Sequence, residues 1–251
     1  GAPLLNTFMR EVQDLAQDGT PPNNKPDFDK VVDWISNTGL SVRDVGLDTN
    51  NIEHMFSLAD ICKQLGIREG TNITSSFRRV LAETIDRTCR YRIVDRKIAP
   101  DHTYGRFAQG LKTSNENRLS LTGKLNSVDN RDSIISFNYD IILDVALWCI
   151  DLWPVYFRKE SGNDGIKLTK IHGSINWGTC SSCNDGVTFL EIDKIINIPR
   201  LSIPKNEVFL PVSSGPGYLS GTKCRKCKLE KTLVPLLIPP TWSKQVENGF
   251  I

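Results

Sequence analysis

The sequence predicts an α/β fold, an open parallel sheet carrying a helical insertion and a small cysteine-stapled module, and three observations carry that prediction. Ser133 to Phe137 is a short β-rich run that halts at Asn138, Tyr139 and Asp140, and Ile141 to Ile150 resumes with apolar residues suited to a buried helix, which makes a strand, turn and helix unit. Ile166 to Ile171 is a second short strand, and His172 stands where it ends. Behind it come two Cys-x-x-Cys knuckles, Cys180/Cys183 and Cys224/Cys227. Ligands of an open parallel sheet bind beyond the carboxyl ends of its strands, so the Asn138 cluster and His172 are expected on one rim.

The remaining elements follow from periodicity and punctuation. Leu4, Leu5, Phe8, Met9, Val12 and Leu15 recur at helical spacing, and the segment Pro21 to Asn24 stops that helix. A second helix after Asp27 carries the stripe Phe28, Val31, Val32 and Ile35, with Gly39 expected just past its end. Asn51 to Leu65 (Ile52, Met55, Phe56, Ala59, Cys62) and Ser75 to about Ile93 (Phe77, Val80, Leu81, Thr84, Ile85) each trace one helical face. Tyr104 to Leu111 reads as a short helix and the polar stretch Thr113 to Arg131 as loop with at most one helical turn. Val187 to Ile198 alternates irregularly, Ser213 to Gly221 is rich in glycine and serine, and Leu233 to Ile238 is a third β-like run ending at Pro239 and Pro240. The expected division is 1–172 with 231–251 as the sheet domain, including a helical insertion at about 40–130, and 173–230 as the metal module.

Four thiolates in two pairs can close a tetrahedral shell around one Zn²⁺, because each two-residue spacer lets both sulfurs converge on the ion. Such a zinc is structural, with no position left for water. The 40 residues from 184 to 223 between the knuckles call for an inserted loop or hairpin. Two disulfides are the alternative, but the chain has no secretory apolar segment or transmembrane span, and Cys62, Cys89 and Cys149 would be left as free thiols. Free and zinc-type cysteines together fit a reducing cytosol, so a cytoplasmic location is expected, with the Asn72-Ile73-Thr74 sequon an accident of sequence. Thirty-one basic against twenty-nine acidic residues leave a net charge of +2, which calls for neither nucleic acid nor an anionic membrane as partner. Lys223, Arg225, Lys226, Lys228 and Lys231 crowd the second knuckle without interleaved aromatics, as expected of a solvated face that favours thiolate over thiol.

Ser136-Phe137-Asn138-Tyr139-Asp140, then Ile171-His172-Gly173-Ser174, then the paired knuckles, in that order, resemble the sirtuins and especially their bacterial sirtuin-like relatives. Deacylating sirtuins usually read Thr-Gln-Asn-Ile-Asp at the first element; the Asn-Tyr-Asp form is similar to the bacterial branch, in which many members hydrolyse NAD⁺ during phage infection. Asn51-Ile52-Glu53 opening a helix and Pro239-Pro240-Thr241 after the knuckles look like that branch too. The resemblance implies a Rossmann-like sirtuin domain with NAD⁺ as substrate. It implies that Asn138 sits against the nicotinamide ribose and positions water or the 2′-hydroxyl, that Asp140 binds the nicotinamide carboxamide, and that His172 is the base. Pro3 and Phe137 join Asp140 among the implied cofactor-binding residues. An imidazole suits a base because the free group titrates near neutrality, and aligned polar groups stabilise the oxocarbenium-like state formed as the bond to nicotinamide breaks.

Departures from the family pattern refine these expectations. The Gly-Ala-Gly-Ala/Ile-Ser turn that cradles pyrophosphate is absent, and Gly1-Ala2-Pro3-Leu4 looks like the segment that normally follows it, with Leu4 and Leu5 in place of an Asp-Phe pair. The chain stops at Ile251, before the strand that contacts the adenosine half of NAD⁺ in the family. A sirtuin-like fold incomplete at both ends is therefore expected, an internal piece that binds NAD⁺ poorly and has little activity alone. Where deacylases add an acyl-lysine peptide as a strand, this chain has Leu233 to Pro240, whose prolines lack the required amide donors, so deacylation is disfavoured. The expected function is an NAD⁺ glycohydrolase acting as a bacterial antiviral or stress effector. The alternatives are an NAD⁺-dependent protein deacylase and a noncatalytic module that binds a nucleotide or a partner protein. An effector of this kind has to be held silent, which implies control by a homo-oligomer, a regulatory partner or a sensor domain.

Overall fold

The computed structural model describes residues 8–17, 24–41, 48–49, 51–94, 97–100, 102–122, 132–156, 165–180, 187–190, 192–195, 208–210, 224, 226–228 and 233–238. Pro3, Cys183 and the Pro239-Pro240-Thr241 segment lie outside these residues. The chain is a mixed α/β protein with one parallel and two antiparallel three-stranded sheets among the described residues.

Four helices open it: α1 (Phe8–Gln17), α2 (Lys25–Ser41), α3 (Ile52–Gln64) and α4 (Arg68–Thr88). The apolar stripes that predict them are the faces they bury: Phe8, Met9 and Val12 on α1, Phe28, Val31 and Ile35 on α2, Met55, Phe56 and Ala59 on α3, and Phe77, Val80, Leu81 and Ile85 on α4. Phe77 packs edge-to-face with Trp34 and Phe56, with ring centroids 5.7 and 5.8 Å away, an arrangement in which a positive ring edge meets a negative face. Asn51 caps α3, its Oδ1 accepting from the amides of Glu53 at 2.9 Å and His54 at 3.4 Å. Buried Glu83 of α4 accepts from the backbone and side-chain amides of Asn24, just ahead of α2, at 3.1 and 3.0 Å, and from Arg87 Nε on its own helix at 2.8 Å.

Three boundaries correct the sequence expectation. Helix α2 runs through Gly39 to Ser41, so that glycine lies within the last turn. Helix α4 starts at Arg68 rather than Ser75 and ends at Thr88, and Tyr91 to Val94, expected as its last turn, is the strand β1 (Tyr91–Val94). Its alternating burial and its Tyr-Arg-Ile-Val composition suit a half-buried strand better than a helix end. The third concerns α5 (His102–Thr122), which continues through most of the stretch expected as loop. Thr113 and Glu116 are exposed, so the polarity of that stretch marks a solvent face, and weak helix formers cost only a few tenths of a kcal/mol each.

Strand β1 pairs antiparallel with β2 (Lys97–Ile98) on one side and β8 (Val208–Leu210) on the other. The parallel sheet has the order β3 (Ser133–Ser136), β5 (Ile166–Lys170), β4 (Pro154–Val155), with α6 (Ile142–Trp148) following β3. Ile134, Leu143, Leu147, Ile166 and Leu168 pack there against Ala108 of α5. A third sheet has the order β7 (Val187–Phe189), β6 (Gly173–Thr179), β9 (Val234–Leu237). Ile175 of β6, Leu237 of β9, and Ile192 and Ile195 of α7 (Ile192–Ile195) join the main helical core. Strands from 173–230 thus pair and pack with the helical region. No helix among the described residues is long and apolar enough to cross a membrane.

Candidate functional site

Strands β3 and β5 run parallel in the register Ser133↔Lys167 to Ser136↔Lys170, so they finish level with each other. The Ile171 amide donates to the Ser136 carbonyl at 3.1 Å, which carries the alignment one residue past the strands. Asn138-Tyr139-Asp140 and Ile171-His172 therefore leave the sheet side by side on one rim. The Tyr139 carbonyl is held by the Ile175 amide at 3.0 Å and the Ser174 hydroxyl at 3.2 Å, which ties the first turn to the start of β6.

What the rim brings into contact is aromatic. The His172 ring centroid lies 5.9 Å from that of Phe137 and 6.0 Å from that of Tyr139, both tilted. Phe137 is 63% exposed and Ile171 and Ile238 are each 46% exposed, so the apolar surface beside the imidazole is open to a ligand. Nδ1 of His172 lies 3.1 Å from the Ile238 carbonyl, which also accepts from the Tyr139 hydroxyl at 3.1 Å. Asn138 is exposed on the same rim, and its Nδ2 donates to the Tyr104 hydroxyl on α5 at 3.1 Å.

Gly173 explains why a glycine must follow this histidine. Its φ is +79°, a backbone region that side-chain-bearing residues rarely adopt, and an added Cβ would run into the Leu236 carbonyl of β9. Gly173→Ala is expected to cost about 1–3 kcal/mol in urea unfolding, since both the strained φ and the displaced β9 count against it. A cost below ~0.5 kcal/mol would mean that the close approach of β6 and β9 is wrong.

Asp140 does not stand open on the rim. It is 4% exposed, and its Oδ1 accepts from the Ile142 amide, the first residue of α6, at 3.0 Å. Burial pushes its carboxyl above the usual range, with the Lys170 ammonium and the Ile142 amide only partly offsetting it. Beneath it runs a buried polar chain of residues outside the expected site. Lys170 Nζ donates to the Asp140 carbonyl and to Asp144 Oδ2, the latter at 3.0 Å, and Asp144 Oδ1 accepts from the Tyr156 hydroxyl. Asn176 Nδ2 continues the chain, donating to Tyr156 Oη and the Leu190 carbonyl at 3.1 Å each. Around it Tyr156, Trp177 and Phe189 close an aromatic cluster with centroids 5.2 to 5.7 Å apart. A signal for this chain exists, because Lys170 is in phase with buried Ile166 and Leu168 and Asp144 interrupts an apolar helix.

Cys180, Cys224 and Cys227 bring their sulfurs within 4.8 Å of one another, with Cys180 and Cys224 buried. The Cys180 and Cys227 sulfurs are 3.7 Å apart, well beyond a disulfide bond of about 2.05 Å. Three converging thiols of this kind can hold a metal ion. Leu233 is the buried apolar neighbour of the cluster. Cys89 and Cys149 lie elsewhere as unligated thiols, pushed up to about 12 and about 11, chiefly by burial.

Among the expected site residues, then, Phe137 and His172 touch, Asn138 shares their rim but faces α5, Asp140 lies below it, and three of the four cysteines converge. Tyr139, part of the expected polar cluster, contributes through its hydroxyl, and Tyr104 and the Ile238 carbonyl are the additions. No protein-family model, no curated protein and no solved structure matches this chain.

Proposed function

We propose that this chain is a sirtuin-like NAD⁺ glycohydrolase, a cytoplasmic effector of a bacterial antiviral or stress response. The observation that carries the proposal is the level ending of the two parallel strands, which brings the Asn138 turn and the Ile171-His172-Gly173 turn to one rim. That rim is where an α/β sheet takes a nucleotide. In the proposed reaction the bond between ribose C1′ and the nicotinamide nitrogen breaks, and nicotinamide leaves with the bonding pair. Water oxygen bonds to C1′, its proton passes to the His172 imidazole, and ADP-ribose results. Asn138 orients the water or a ribose hydroxyl. Phe137 offers an exposed face to a planar ring. Asp140 serves from below, holding the start of α6 under the nicotinamide subsite.

For the metal, the proposal is structural zinc held by Cys180, Cys224, Cys227 and Cys183. A tetrahedral thiolate shell with Zn–S of ~2.3 Å places sulfurs about 3.8 Å apart, and the Cys180–Cys227 separation is 3.7 Å. Zinc so held takes no part in the chemistry; it anchors the chain between β6 and β9.

The test is nicotinamide release from NAD⁺ alone, followed by chromatography, with His172→Ala and Asn138→Ala each expected to lower turnover by at least ~10²-fold. Release that requires an acylated peptide would replace the hydrolase with a deacylase. No release from the folded full-length protein under any trigger would favour a noncatalytic nucleotide- or partner-binding module.

A further inference from the structure

His172 is tied to the strand beside it by two reciprocal bonds. Its main-chain carbonyl accepts from the Ile238 amide at 2.9 Å, and its Nδ1 lies 3.1 Å from the Ile238 carbonyl. The first bond continues the β6–β9 ladder, in which Gly173 faces Leu237, so the imidazole meets a backbone group already fixed by the sheet. A carbonyl oxygen has lone pairs and no proton. The ring nitrogen facing it must therefore be the one that carries hydrogen.

We infer that the Ile238 carbonyl fixes neutral His172 as the Nδ1–H tautomer and leaves Nε2 as its accepting nitrogen, with Tyr139 as a positioning residue that holds this carbonyl in place. The Tyr139 hydroxyl donates to the same oxygen at 3.1 Å, so both lone pairs are engaged. Burial pushes the Tyr139 phenol well above its ordinary range, which keeps it a donor. A ring flip would remove Nδ1–H from its acceptor. Free histidine favours the opposite tautomer, so the arrangement selects a minor form. Its catalytic meaning, that Nε2 is the atom receiving the proton of the attacking water, rests on the hydrolase proposal; the tautomer does not.

The experiment is long-range ¹H–¹⁵N correlation of the imidazole nitrogens in the full chain at a pH where His172 is neutral. The chain has 3 histidines, and the set of signals missing from His172→Gln assigns the residue. The expected pattern is a protonated, pyrrole-type Nδ1 and a pyridine-type Nε2, in at least about tenfold excess over the other tautomer. A predominant Nε2–H form, or an even mixture, overturns the inference. Tyr139→Phe keeps the ring and removes the hydroxyl, and is expected to lower the excess by roughly threefold or more while the fold is retained. An unchanged excess removes Tyr139 from the inference. If NAD⁺ is turned over, the same variant lowers kcat with KM little changed, as expected of a residue that acts on the base and not on the substrate. The stated tautomer in a protein that releases no nicotinamide would sustain the inference and sink only the hydrolase.

Discussion

Cys224→Ser is expected to empty the cysteine cluster of metal and to loosen the seam between β6 and β9. Cys180 follows β6 directly, and Cys224 and Cys227 precede β9, so one ion would close the long excursion between two paired strands. Serine retains the shape but not the thiolate, and three remaining ligands bind the ion far more weakly. Structural zinc contributes on the order of 10 kcal/mol in small zinc peptides; about a third of that, reaching global unfolding at 2–4 °C per kcal/mol, lowers the melting midpoint by roughly 6–12 °C. Elemental analysis is expected to give about one zinc per wild-type chain and far less in the variant. Alkylation of native protein supplies a second readout. A chelator should expose Cys180, Cys224 and Cys227 to reagent, whereas Cys89 and Cys149, whose thiols burial pushes to about 12 and about 11, should stay slow as long as the fold persists. Wild-type protein that carries no metal, or whose thiol reactivity ignores the chelator, would refute the metal site.

Parts of this arrangement are legible in the residues and parts are not, for physical reasons. The helical stripes are legible because burial on one face repeats at 3.6 residues per turn whatever the neighbouring element is. The convergence of the cysteines follows from ligand spacing, and the shared rim from the rule that parallel strands present their ends together. The register Ser136↔Lys170 is another matter, since it depends on how β3 and β5 slide past each other. Nothing in the composition of Ile238 announces that its carbonyl receives both Tyr139 and His172, because a backbone acceptor is the same in every residue. Strand β6 is missed because Gly-Ser-Ile-Asn-Trp-Gly-Thr has no alternation; with six of its seven residues buried, it has no solvent face to produce one. Asp140 illustrates a motif residue whose position is legible and whose environment is not, since its burial and its contacts with Lys170 and the Ile142 amide depend on how distant elements pack.

Lys170→Met is expected to be the most damaging single change beneath the rim, costing about 3–5 kcal/mol, or roughly 6–20 °C in melting midpoint at 2–4 °C per kcal/mol. The Lys170 and Asp144 side chains are 1% and 0% exposed, and their contact is 3.0 Å, so removal of the ammonium leaves a buried carboxylate facing hydrocarbon. It also takes the donor from the Asp140 carbonyl. The deficit should depend on pH with a definite sign. Lys170 is the largest influence lowering the Asp140 pKa, which burial already raises, so the variant raises it further. A carboxyl whose folded-state pKa lies above its unfolded value favours folding while protonated and loses that contribution as pH rises through the folded value. Lys170→Met should therefore lose more stability at pH 7 than at pH 5, measured by urea unfolding at both. Adding Asp144→Leu removes the stranded charge, and the double variant is expected to recover much of the loss, because an apolar pair can replace a buried ion pair at little cost. A single variant within ~1 kcal/mol of wild type at pH 7, or a double variant no more stable than the single one, would show that Lys170 and Asp144 are not paired in the folded chain.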